Sequence, residues 1–238
     1  MNMRNVGFVC FGEINTPFER LQLKHDEALA ALCEKIGPVT DAGIVIDDPA
    51  YAYAKDALAK LGTADYDCVI ACVAGWVPTH AVIYVLDHFR HLPILLWGLC
   101  GWKENGRLIT TADQAGTTAI RPALEAMDYS FKYVYSVIGR PHPLDKIEAF
   151  VEAAYAKKQL RSARVGSMGY RDMLLYGTQF EGNSMRGQIG VEVETFEMLE
   201  MMQNLEKLEQ KDIDEGVAWV KANWTFKKSC ADETIVSG

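Results

Sequence analysis

The chain has 238 residues, a formal net charge of −8 and 49% hydrophobic residues. That length buries a sizeable core in one or two domains, and the composition excludes a disordered, collagenous or low-complexity chain. The acidic balance, 32 Asp and Glu against 24 Lys and Arg, argues against a nucleic-acid-binding protein, and no apolar run approaches the roughly 20 residues of a membrane span.

The N-terminus, Met1-Asn2-Met3-Arg4-Asn5, leads into an apolar run without the small-residue pattern of a signal peptide, so the expected location is cytoplasmic. The apolar run over residues 6–11 (VGFVCF) reads as a strand buried on both faces. Phe18, Leu21, Leu29, Leu32 and Ile36 follow at helical spacing, stopped by Gly37-Pro38. Residues 39–46 read as a second strand with Gly43 as its weak point. Asp47-Asp48-Pro49 signals a helix start, a carboxylate cap before a first-turn proline, for a helix over residues 50–61. Strands are expected over residues 68–74, 93–99 and 133–138. Helices are expected from Pro78 to about Arg90, over residues 113–127 and over residues 143–159. This β-α-β-α alternation predicts a mainly parallel sheet covered on both faces by helices, occupying residues 1–160.

After Arg161 the pattern changes. Residues 163–168 and 191–196 read as strands separated by a glycine-rich stretch. A helix is expected over residues 196–208, then one amphipathic stretch carrying Val217, Trp219, Val220 and Trp224. Residues 161–238 thus read as the start of a second α/β domain.

Ligands of open α/β sheets bind beyond the carboxyl ends of the strands. That rule selects Gly12-Glu13-Ile14-Asn15, Ala74-Gly75-Trp76, Cys100-Gly101-Trp102 and Ser167-Met168-Gly169. The first turn lacks both common phosphate-binding glycine patterns. Trp76 and Trp102 offer indole faces suited to the C–H face of a sugar or another flat ligand, or else cap the sheet as ordinary core. The six cysteines have no zinc-site spacing, and Cys10, Cys68, Cys72 and Cys100 are expected as buried small hydrophobes. His88 and His91 share a helix face, and Glu192 and Glu194 share a strand face; each pair reads first as ordinary structure. His25 and His142 are expected at the surface.

Four segments resemble the L-fucose/L-arabinose isomerase family: VGFVCFGEINTPFERL, VAGWVPTHAVIYVL, the Asp113-Gln114-Ala115-Gly116 turn, and the stretch from Arg164 to Met198. The resemblance implies the N-terminal part of a metal-dependent aldose–ketose isomerase. In it this chain forms the substrate pocket wall and the contacts of a homo-oligomer. Trp76 matches the substrate-facing aromatic, Gln114 the substrate-contacting Gln, Met168 the Met lining the sugar pocket, and Glu13 the first turn. Where arabinose isomerases carry a His shortly after that Gln, this chain has Thr117-Thr118. No metal is expected on this chain; Mn²⁺ or a similar ion belongs to the complete enzyme, held by later sequence. The expected partner is a small sugar, with no nucleic acid and no membrane. A non-catalytic sugar-binding or regulatory α/β module is the alternative.

Overall fold

A computed structural model describes residues 4–237. The chain divides into two compact units, residues 1–159 and residues 160–238.

Unit 1 is built on β1 (Val6–Phe11), β2 (Thr40–Val45), β3 (Cys68–Val73), β4 (Ile94–Gly98) and β7 (Phe131–Tyr135). They form one sheet in the order β2-β1-β3-β4-β7, and every neighbouring pair is parallel. This is a flavodoxin-like α/β fold, whose strand order reverses between β1 and β3. All six residues of β1 and of β3, and all five of β4, are buried, which is why they read as continuous apolar runs.

Alternate side chains feed two separate cores. Val9, Phe11, Val69, Ala71 and Leu96 pack with residues of α2 (Ala52–Leu61), α3 (Thr79–Leu86) and α4 (Asp113–Ala126). Phe8, Cys10, Ile70, Cys72 and Trp97 pack with α1 (Phe18–Ile36) and α5 (Leu144–Ser162). Helices therefore cover both faces of the sheet. Cys10, Cys68 and Cys72 are buried free thiols in these layers, and burial pushes the Cys68 thiol up to about 12.

Three local departures have physical reasons. Between β1 and β2 the register slips: Phe8 pairs with Asp41, but Cys10 pairs with Ile44. The extra residue on β2 is a bulge, absorbed by Gly43 at φ 80°. Helix α2 starts at Ala52 rather than residue 50, because Tyr51 takes a left-handed φ of 54°. Asp48 still caps it, its carboxylate accepting the Ala52 and Tyr53 N–H groups at 2.8 and 3.3 Å. Between β4 and α4 an unexpected hairpin joins β5 (Trp102–Glu104) to β6 (Arg107–Ile109) through Asn105 and Gly106, both at positive φ.

Unit 2 holds a two-stranded parallel pair, β8 (Arg164–Met168) and β9 (Glu192–Phe196). Around it lie α6 (Gly182–Gln188), α7 (Met198–Leu205), α8 (Gln210–Asn223) and α9 (Asp232–Ser237). The amphipathic stretch read from Val217 to Trp224 falls largely in α8. A capping box starts that helix, with Glu209 and Asp212 exchanging side-chain and backbone bonds. Among the described residues, no helix is long and apolar enough to cross a membrane.

Candidate functional site

The carboxyl edge of the unit 1 sheet carries a network that ties both helical layers together. Lys24 and His25 lie on the buried face of α1 with Leu21, Ala28 and Leu32. Lys24 forms a buried ion pair with Asp113 in the first turn of α4, where a carboxylate also complements the helix dipole. Lys24 Nζ donates to Thr111 Oγ1 at 3.0 Å, and that hydroxyl donates in turn to the Ala74 carbonyl just beyond β3. The Thr111 carbonyl accepts the Trp76 backbone N–H at 2.7 Å. Thr111 thus clamps the turn after β3 from both of its polar groups.

That clamp positions Trp76. Its side chain is 38% exposed at the β3 end, beside the point where the strand order reverses. Gly116 lets α4 approach closely: a Cβ there would lie 3.0 Å from the Gly75 carbonyl oxygen and 3.1 Å from Trp76 Cα. Glu13 lies half-buried in the turn after β1, and the Thr16 N–H bonds back to its carbonyl at 3.1 Å. Glu13 and Trp76 therefore stand beyond the ends of the two adjacent strands that flank the reversal.

Gln114 is engaged internally. Its amide nitrogen donates to the Leu99 carbonyl and, at 3.4 Å, to the Ser136 carbonyl. It therefore braces the ends of β4 and β7. Met168 is the last residue of β8 in unit 2, pairs with Phe196 and is exposed.

A cleft of about 470 Å³ opens beside this network, between α1, the β4–β5 connection and the loop after β7. Lys24, Glu27, Cys100, Trp102, Arg140 and His142 are among its lining residues. A chain of hydrogen bonds fixes one wall. Trp97 Nε1 donates to Ser136 Oγ at 3.1 Å, and Ser136 Oγ lies 2.8 Å from His142 Nδ1. Burial lowers the His142 pKa below its ordinary value, the nearby Lys24 charge acts the same way, and Glu27 opposes both. The imidazole is therefore neutral near pH 7. Because indole N–H only donates, the Ser136 hydroxyl accepts from it while meeting His142 Nδ1. The other ring nitrogen, Nε2, lies 3.8 Å from Glu27 Oε1. Burial also raises the Cys100 thiol, so it is protonated and a poor nucleophile at neutral pH.

The histidines correct one expectation. His25 is buried, 3% exposed, and His142 is half-buried rather than superficial. His25 bridges Asp26 at 2.8 Å and Asp41 at 3.0 Å, and Asp41 also accepts the Gly43 N–H of the bulge. Burial alone would lower the His25 pKa, but the bonds to Asp41 and Asp26 outweigh it and raise it to about 9. The signal was present in the sequence: Leu21, Lys24, His25, Ala28 and Leu32 form one helical stripe in which two polar residues occupy inward positions.

The other candidate pairs have structural partners or surroundings. His88 bonds to the Tyr84 carbonyl at 3.1 Å. His88 and His91 precede β4, at the amino-terminal end of the sheet and away from the crevice. Glu194 pairs with Arg164 at 3.0 Å and Glu192 with Arg186 at 3.8 Å. Among the described residues, no three His, Cys, Asp or Glu side chains group as metal ligands. A cavity of about 710 Å³ in unit 2 is walled mainly by aliphatic and aromatic residues such as Phe196, Met201, Leu205 and Val217. Set beside known proteins, the chain matches no family model and no curated protein.

Proposed function

We propose that unit 1 is the sugar-contacting part of an aldose–ketose isomerase of the L-fucose/L-arabinose type. It supplies a pocket wall and oligomer contacts, while the metal–carboxylate centre comes from residues outside this chain. The observation that carries the reading is the placement of Trp76. It is a partly exposed indole at the strand-order reversal, with its backbone pinned by Thr111 and by the close approach of Gly116. A fixed aromatic face beside a polar turn orients a sugar by stacking its C–H face, while Glu13 offers a carboxylate to hydroxyl groups. Isomerisation between C1 and C2 also requires a polarised carbonyl and a base in reach of the migrating proton. In this assignment the chain binds and orients the sugar.

The internal bonds of Gln114 bear on its part in this reading. Its amide nitrogen holds two carbonyls of the chain, so its Oε1 is the atom left to meet a hydroxyl. The test is a titration of the purified chain with L-fucose and L-arabinose, followed by the indole N–H resonances. The Trp76 resonance, assigned by its loss in Trp76→Phe, shifts with sugar at millimolar concentrations. Sugar binding that leaves Trp76 unmoved, or no binding of either sugar, overturns the proposal.

A further inference from the structure

The geometry points to a second ligand site in unit 1: the cleft between α1 and the loops after β4 and β7 binds a small oxyanion-bearing molecule, a phosphate ester or a carboxylic acid. Lys24 Nζ and His142 Nε2 are its fixed donors. This site is separate from the Trp76 turn and does not depend on the sugar-isomerase reading.

The donors come first. Lys24 is 6% exposed yet lines the cleft. An ammonium group has three N–H bonds to place. Among the described residues, its side-chain partners are Thr111 and Asp113, which leaves one donor for a ligand. His142 is held from behind at Nδ1 by Ser136 Oγ, which is itself fixed by Trp97, and this turns Nε2 to the Glu27 side, where the ring donates to an anion. Both donors are positioned by protein bonds before any ligand arrives, so little ordering cost falls on binding.

The charge around the cleft favours an anion. The chain as a whole is acidic, at −8, but the lining includes Lys103 and Arg140 against the single carboxylate of Glu27, with the Lys24 charge already balanced by Asp113. Among the described residues, Lys103 and Arg140 have no carboxylate within ion-pair distance, and Arg20 and Lys24 approach the Trp102 ring at 5.3 and 5.9 Å. The Glu27 side chain is 73% exposed, free to turn into solvent as an anion enters. Beyond the donors the walls are Leu23, Leu99, Val137, Ile138 and the Trp102 ring. They suit the carbon body of a small metabolite, and the volume lies within the range of small-molecule sites.

The experiment titrates the full chain with inorganic phosphate, glucose 6-phosphate, gluconate and glucose, read by calorimetry and by the Trp102 indole resonance. Binding of an oxyanion that moves Trp102, with glucose inert, is the expected result. The phosphate and gluconate arms tell a phosphate site from a carboxylate site. His142→Asn keeps a partner for Ser136 but removes the Nε2 donor, and weakens binding by about tenfold or more. Should that variant fail to fold, Arg140→Gln serves instead and weakens binding several-fold with a reduced salt dependence. Glu27→Gln strengthens oxyanion binding. The proposal is overturned if none of the three anions binds, if glucose binds as tightly as its 6-phosphate, or if Glu27→Gln weakens the anion.

Discussion

Lys24 and Asp113 meet in a buried ion pair above the carboxyl edge of the sheet, although their helices lie on opposite faces. The pair therefore joins the two helical layers where the crevice opens. Removing one partner leaves the other charged and buried. Lys24→Met is expected to cost about 3–5 kcal/mol, whereas the double variant Lys24→Met with Asp113→Leu recovers most of that loss. Equilibrium urea unfolding of the two variants checks this. Equal losses in both would show that the pair is dispensable and the packing is what matters.

His25 makes a prediction about pH. Its pKa is raised from 6.5 to about 9, so the stability it contributes is fully present below pH 6.5. That contribution, on the order of 3 kcal/mol, is lost as pH rises through about 9. Asp41 behaves oppositely. Burial acts to raise its pKa, but the His25 and Gly43 bonds win and lower it, so its contribution is lost as pH falls through that depressed value. His25→Gln should flatten the alkaline decline in stability measured by denaturant midpoint between pH 6.5 and 9. A wild-type midpoint constant across that range would refute the assignment.

Much of the unit 1 fold is legible from sequence because parallel strands buried on both faces have no polar alternation to obscure them. The runs giving β1, β3 and β4 are of this kind. β7 lies earlier than its expected range, at Phe131–Tyr135, because as an edge strand it carries Lys132 and two exposed or half-exposed tyrosines. Its apolar run continues past the last paired residue, while Ser136 turns to bond Trp97. The β5–β6 hairpin leaves little trace in the sequence because its strands are three residues long and half of their residues are charged. Its Asn-Gly turn was the available signal. The cleft was only half legible: the strand-end rule selects Trp102, but nothing in a linear pattern shows that Lys24, from the inward stripe of a distant helix, reaches Asp113.

Gly116 sets how closely α4 approaches the Trp76 turn. A side chain there meets backbone atoms of Gly75 and Trp76 at 3.0 and 3.1 Å, and backbone yields less readily than a flexible side chain. Gly116→Val is expected to destabilise the chain by about 1–3 kcal/mol. It should also displace Trp76, seen as a shift of its indole resonance in the ligand-free chain. Thr118, two residues further along α4 and exposed, bonds to the Gln114 carbonyl at 2.8 Å. Thr118→Val is the control and should leave the Trp76 resonance in place.

The proposed division of labour makes the activity of the chain itself informative. Stacking on Trp76 orients a sugar but does not stabilise the charge that develops on an enediolate, which needs an electrophile at the oxygens. The purified 238-residue chain, supplied with Mn²⁺, is therefore expected to give no ketose from L-fucose, L-arabinose or D-arabinose. Weak sugar binding should persist, because one stacking face and a few polar groups leave most of the ligand wet. Trp76→Ala removes that face and should weaken binding by about tenfold, a loss of about 1.4 kcal/mol. Calorimetry with L-fucose measures the binding, and a colorimetric ketose assay measures turnover. Robust ketose formation by the chain alone would place the chemistry on residues described above and overturn the division. Unchanged binding by Trp76→Ala, with turnover absent, would leave the crevice without its proposed sugar-facing wall.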